Sequence, residues 1–356
     1  MSGADGAHGA YVHIPFCAVR CDYCAFATWT DRDHLIASYL QALRTEIERA
    51  VDDGLPLVTS VFFGGGTPSM VPAGGLMAVL AALPLTPEAE VTVECNPDTI
   101  TPGLLAAYRD GGVNRLSFGV QSMVPRVLRL LGRTHDPANV QHSIELARTV
   151  GFESFNVDII YGTVGESLAD WETTVRETLR LEPPHVSAYG LTVEAGTPLA
   201  LDPARFPDDD DQAAKYELAD DLLVAAGLAS YEISNWARPG HECRHNLLYW
   251  SQGDYTGFGC AAHSHRSGRR WWNVRTPERF ITLVEEGSPA EAAAEELDTE
   301  TRRLEGLQLQ LRTRTGVPSD SLDAAELPGL VEPRGDRLVL TRAGRLVANE
   351  VAVRLR

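Results

Sequence analysis

Cys17-Ala18-Val19-Arg20-Cys21-Asp22-Tyr23-Cys24 places three thiols in one short loop, directly after the strand-like run Tyr11-Val12-His13-Ile14-Pro15-Phe16. The C-x3-C-x2-C spacing lets one turn of backbone aim three sulfurs at a single point. A cubane iron–sulfur cluster normally takes four thiolates, and the next cysteine, Cys95, lies far along the chain. Three thiolates on a four-iron cluster leave one iron without a protein ligand, and an open coordination site is what chemistry needs. The alternative is zinc, with His13 or His34 as fourth ligand, but structural zinc sites commonly draw on two spaced pairs. Disulfides fit less well: six cysteines in 356 residues are sparse, and three of them share one loop.

Composition bounds the rest. With 44% hydrophobic and 22% charged residues, the chain reads as an ordinary globular protein, and its length suggests two or three units. Met1 to Ala10 shows neither a basic region nor an apolar stretch, so no signal peptide is expected. No apolar run reaches the roughly 18 residues of a membrane span, and a reducing cytoplasm is the expected location. The net charge of −18 argues against broad electrostatic binding to nucleic acid.

Strand-like runs at 11–16, 57–63, 90–95, 115–120, 154–160 and 185–191 alternate with helical patterns. One such pattern is Leu35, Ile36, Tyr39, Leu40, Leu43 and Ile47, which Asp33 is expected to cap and Gly54 with Pro56 to close. Six alternating units predict a parallel sheet, most naturally a partial (β/α)6 barrel. Active sites of such barrels form at the C-terminal ends of the strands, and every predicted strand here ends in polar or glycine-rich sequence. These ends are the cysteine loop, Gly64-Gly65-Gly66-Thr67-Pro68, Glu94-Cys95-Asn96-Pro97, Gly119-Val120-Gln121-Ser122, Asp158 with Tyr161-Gly162, and Thr192-Val193-Glu194. Six polar ends on one rim predict a ligand site. Arg133 adds a planar fork suited to a carboxylate.

Together, the cysteine loop and these strand ends resemble the radical S-adenosylmethionine (SAM) superfamily, and within it the anaerobic coproporphyrinogen III oxidase family. The haem-chaperone branch of that family matches best. The resemblance implies a 4Fe-4S cluster on Cys17, Cys21 and Cys24, with SAM on its open iron. It implies SAM contacts from Tyr11, Gly65, Gly66, Thr67, Glu94, Gln121, Arg133 and Asp158, and from Tyr23 and Thr192 at the edge of the set; no catalytic residue is assigned. Arg133 would hold the SAM carboxylate, and the acids and Gln121 its amino and ribose groups. Val164 stands where the family usually has proline, a change in loop stiffness. The oxidase branch carries a fourth cysteine two residues beyond the third, where this chain has Phe26, and it has a long N-terminal extension, where sixteen residues precede Cys17. Both departures favour a chaperone that binds haem and passes it to an acceptor protein, with flavodoxin or ferredoxin as electron donor. Oxidative decarboxylation of coproporphyrinogen is the alternative.

Residues 236–275 differ in composition from the remainder. They hold Trp236, Trp250, Trp271 and Trp272, four histidines (His241, His245, His263, His265) and six arginines, opposed within the segment only by Glu242 and Asp254. Flat apolar surface, arginine for propionates and histidine for iron suit haem. The stretch His245-Asn246-Leu247-Leu248-Tyr249-Trp250 matches the family's H-N-x-x-Y-W motif, which makes His245 the expected iron ligand. The chain is therefore divided into a core of residues 1–235, a linking segment 236–289 and a winged-helix-like α+β unit 290–356. That last unit is expected to open with an Ala/Glu-rich helix near 289–312 and to close with a strand at 337–341 and a helix over 343–354.

Overall fold

A computed structural model describes residues 6–133 and 135–356. Met1–Asp5 of the N-terminal stretch and Thr134, beside Arg133, lie outside the described residues. Strands β1 (His8–Ile14), β2 (Val58–Gly65), β3 (Leu85–Cys95), β4 (Arg115–Gln121), β5 (Ser154–Tyr161) and β6 (His185–Gly190) pair side by side in parallel. Each overlaps a run expected from the sequence, with β1 and β3 beginning earlier than expected, and helices connect them into the partial barrel.

The sheet continues past both ends of the barrel. Beyond β6 lie β8 (Asn235–Ala237) and β7 (Ala229–Glu232), both antiparallel to their neighbours. On the other side β9 (Asp254–Phe258) pairs in parallel with β1, followed by β10 (His263–Arg266), β11 (Arg269–Asn273) and β12 (Glu291–Glu296). Twelve strands thus form one sheet.

Period-two alternation divides the barrel strands. One set of positions is buried and apolar: Ala10, Val12 and Ile14, then Val61 and Phe63, Val91 and Val93, Leu116, Phe118 and Val120, Phe155, Val157 and Ile159, and Val186 and Ala188. These pack outward against the helices, each large side chain contributing about 1.5–3 kcal/mol. The opposite set faces the barrel interior and is mostly polar, which positions the site described below.

Two of the local expectations that fail have identifiable reasons. The Ala/Glu-rich stretch near 289–312 is not one helix: residues 291–296 form β12 and the helix begins at Thr299, capped by Asp298. Helix propensity yields to pairing with β11, whose Arg269 and Arg270 meet Glu291, Glu296 and Glu295. Asp33 does not cap the first long helix; it opens a 3-10 turn, and the helix Ile36–Asp52 starts after Leu35 with no side-chain cap.

After β12 a small α+β unit packs around its own core of Leu307, Leu311, Val317, Leu322, Leu327, Leu338, Val351 and Ala352. Its strands, β13 (Val317–Pro318), β14 (Val331–Arg334) and β15 (Arg337–Leu340), make a separate antiparallel sheet. The closing helix of 343–354 is split at Val347 into Arg342–Leu346 and Ala348–Ala352. Arg345 and Arg342 fasten this unit to Asp220 and Asp221.

Candidate functional site

The cysteine loop leaves the C-terminal end of β1 and is pinned from several sides. Cys17 N–H donates to Trp29 O at 3.0 Å, and Trp29 N–H to Pro15 O at 2.8 Å. Leu199 N–H reaches Asp22 O at 3.0 Å, and Arg205 bonds both the Asp22 carboxylate (2.9 Å) and Leu130 O (2.8 Å). His13, almost fully buried, donates or accepts between Tyr11 Oη (3.0 Å) and Ala27 O (2.9 Å), tying the end of the loop to β1. Burial lowers its pKa to about 4, so it is neutral, and both nitrogens are engaged. Zinc ligation by His13 would require one of these bonds to open.

The three cysteines are free and half-buried. Burial raises the Cys17 and Cys24 thiols above their ordinary pKa, so binding an electrophilic metal centre there releases protons. Among the described residues no three His, Cys, Asp or Glu side chains converge as a single ion requires. Three thiolates from one loop are a donor set that a cubane cluster can take, one on each of three irons. Thr67 Oγ1 stands 3.7 Å from Cys17 Sγ and Arg133 Nη1 3.6 Å from Cys21 Sγ, donors suited to thiolate charge.

The glycine turn has specific steric reasons. Gly65 has φ +105°, and a Cβ there would lie 2.4 Å from the His13 ring. A Cβ on Gly66 would meet Phe16 O at 2.5 Å and Ile14 O at 2.7 Å, because the turn bonds back to the start of the cysteine loop. Gly65 N–H donates to Glu94 Oε2 at 3.1 Å. Gln121 adopts φ +66° at a bulge of β4, a strained position for a residue with a side chain. Its amide and the Arg133 guanidinium both lie over Gly119, whose carbonyl accepts from Arg133 Nη2 at 2.8 Å.

Inside the barrel a cavity of about 610 Å³ opens. Tyr11, Gly65, Glu94, Asp158 and His245 of the expected set line it. Burial, with Asp158 close by, raises the Glu94 carboxyl to about 8, and burial raises Asp158 above the usual carboxylate range despite bonds from Ser117 and Asn156. A cationic amine between these two acids would favour their ionised forms and offset the cost of burying them. Thr67, Gln121 and Arg133 gather instead at the cysteine loop. Tyr23 lines a separate pocket of about 170 Å³, and Thr192 is exposed on the strand-six rim, its hydroxyl on Gly190 O.

A match to the Radical SAM superfamily covers residues 11–178. The haem chaperone HemW of Mycobacterium tuberculosis H37Rv is 42% identical, the alignment covering 96% of this chain and 93% of that protein. HemW proteins of Escherichia coli (35%, 96% of each chain) and Bacillus subtilis (34%, 96% of this chain and 97% of that one) match equally broadly. This chain belongs to the HemW family. Its fold is that of Escherichia coli coproporphyrinogen III oxidase, a radical SAM enzyme, with a TM-score of 0.85 over 98% of this chain and 89% of the other. At 23% identity that likeness establishes the fold alone.

In this HemW-family chain the 236–275 segment forms one wall of the same cavity, through Cys243, His245, Asn246, Tyr249, Tyr255, Ala261, His263 and Arg275. Part of its basic character is met by residues from elsewhere, while Arg275 lines the cavity itself. Arg269 pairs with Glu291 and Glu296, Arg270 with Glu295 and Glu305, and Arg244 reaches Glu88 O and Glu90. Trp236 is core, its Nε1 donating to Asp220 at 2.8 Å. His245 is fully buried, with Nδ1 on Ser60 Oγ (2.9 Å), Nε2 on Tyr249 Oη (2.7 Å) and its ring over Phe62. Both nitrogens are occupied, so ligation of iron by His245 requires one of these bonds to open. His263 is exposed on the cavity wall and stacks on Trp272 at 5.6 Å between ring centres.

Arg115, Ser117, His185 and Ser187 also line the cavity, and sequence reasoning missed them. Attention to strand ends hid the signal, which was polar residues recurring at every second position inside the strands.

Proposed function

We propose that this chain is a haem chaperone: it binds haem together with a SAM-coordinating 4Fe-4S cluster and passes haem to an acceptor protein. The supporting observation is that Tyr11, Gly65, Glu94 and Asp158 of the strand ends expected to hold SAM line the same cavity as the aromatic, histidine-bearing segment. Cys17, Cys21 and Cys24 would hold the cluster, which supplies an open iron when bound. Glu94 and Asp158 suit the SAM amino group, and Arg133 and Gln121 stand beside the cysteine loop for its carboxylate end. Tyr11 and Gly65 line the cavity, Gly66 and Thr67 would approach the ligand from the turn beside the cysteine loop, and Tyr23 and Thr192 would contribute from outside the cavity. On the haem side, exposed His263 offers a ring nitrogen without breaking an internal bond, and His245 shapes the wall behind it. Flavodoxin or ferredoxin would donate electrons, and the cytoplasm is the location that suits an exposed cluster loop. The chain would divide into 1–235, 236–289 and 290–356, with β12 of the last unit serving the large sheet.

Coproporphyrinogen oxidation is the second reading, favoured by the shared fold. Phe26 argues against it: the side chain is 63% exposed at the cavity where that branch carries its fourth cysteine. Anaerobic reconstitution followed by two assays separates them. Haem titration is expected to saturate, and coproporphyrinogen with SAM and reductant is expected to remain unchanged. Turnover to protoporphyrinogen, or no haem affinity, overturns the chaperone reading. His263→Ala is expected to alter the haem spectrum more than His245→Ala; the reverse order returns ligation to His245.

A further inference from the structure

The barrel interior contains a cation with nothing to hold. Arg115, the first residue of β4, is 2% exposed and lines the cavity, yet its Nε and Nη2 are buried without a hydrogen-bond partner. Thr92, its register partner on β3, points to the same face and is fully buried, and its hydroxyl is also unpartnered. Neighbouring acids do not fill the gap. Glu90 accepts from the Cys243 thiol and the backbone N–H groups of Arg244 and His245. Asp158 accepts from Ser117 and Asn156. They influence Arg115 through space only. Nor is His185 available, since it sits between Asn156 and Tyr231.

A desolvated guanidinium without partners is costly to bury. A fork of planar N–H donors with a hydroxyl beside it matches a carboxylate. We propose that Arg115 and Thr92 form a carboxylate site deep in the barrel, which anchors the acidic arm of the ligand that enters the cavity. Taken with the haem reading above, on which this step rests, the arm is a haem propionate; a free small carboxylate carries the same chemistry.

Esterification separates the sources. Purified full-length protein is titrated with haem and with haem dimethyl ester, whose propionates are masked, for wild type, Arg115→Met and Thr92→Val. Wild type is expected to prefer haem by about tenfold or more, the scale of a charge-assisted bond. Arg115→Met is expected to erase that preference while leaving the ester's affinity unchanged, and Thr92→Val to reduce it a few-fold. Thr92→Val keeps the charge, so the test stays readable if Arg115→Met does not fold. In a parallel arm, melting temperature is followed in sodium propionate against sodium chloride. If haem does not bind but propionate raises the wild-type melting temperature and not that of Arg115→Met, the chaperone reading fails and the carboxylate site stands. Equal binding of haem and ester, with no propionate effect, overturns the site and leaves Arg115 as a counter-charge to Glu90 and Asp158.

Discussion

The cysteine loop, which leads into the cavity-lining Ala25–Ala27, and the 236–275 segment, which lines the same cavity, are described unequally well by the sequence. In the loop the chemistry is carried by spacing: three cysteines within eight residues stay together whatever the remaining chain does. In the segment it seemed carried by composition, and composition ignores what folds onto it. Glutamates from β12 and from the helix Thr299–Leu311 pair with Arg269 and Arg270, and Trp236 goes to the core. Local covalent geometry survives folding; a local excess of charge need not.

Replacing any one of Cys17, Cys21 or Cys24 with Ala tests the loop most severely. Reconstituted iron content is expected to fall to background, because two thiolates cannot retain the cluster. Full iron incorporation in a single variant would mean that another residue ligates. The matching test of the segment is Trp236→Ala. Deleting a fully buried indole that also donates to Asp220 should cost about 3–5 kcal/mol, seen as a lower denaturation midpoint. A mild loss would return Trp236 to the surface patch that composition suggested.

Much of the fold was legible because each barrel strand carries apolar residues at every second position, buried in the core. The inner face was less legible. A barrel of this type is usually filled by branched aliphatics, whereas Arg115, Ser117, Asn156, Asp158, His185 and Ser187 line this one. Their alternation with Leu116, Val157 and Val186 is visible in the sequence once the period of two is sought. β12 was not legible: Glu-Ala-Ala-Ala-Glu-Glu is helix-favouring by propensity, and only its partner strand, some twenty residues earlier, makes it extended. His245 was legible as important but not in role, since Ser60 and Tyr249, which occupy its nitrogens, arrive from the folded chain.

A smaller test concerns how the segment is attached. Glu46, on the helix Ile36–Asp52, accepts from Gly259 N–H and the Asn273 amide, both at 2.8 Å. Burial raises its carboxyl from 4.5 to about 7. The folded state therefore keeps a proton that the unfolded state releases, and this group's contribution to stability falls as pH rises from 4.5 to about 7, then levels. Glu46→Gln is expected to remove that decline from the stability–pH curve. An unchanged curve would place the charged form in the folded protein.

Arg270 gives the smallest and most discriminating effect. Its guanidinium pairs with Glu295 and Glu305, each at 2.9 Å, with the side chain about one-third exposed. Pairs at that exposure contribute about 1 kcal/mol or less, so Arg270→Ala should shift the denaturation midpoint little, and less in high salt. Haem affinity is the sharper readout. If the arginines of the segment fasten β12 and the helix Thr299–Leu311 to β11, haem binding is unaffected by Arg270→Ala and by Glu305→Gln alike. A loss of haem affinity in Arg270→Ala but not in Glu305→Gln would show a propionate competing for this guanidinium. The basic composition of the segment would then describe a ligand site after all, one that its glutamates cover until haem arrives.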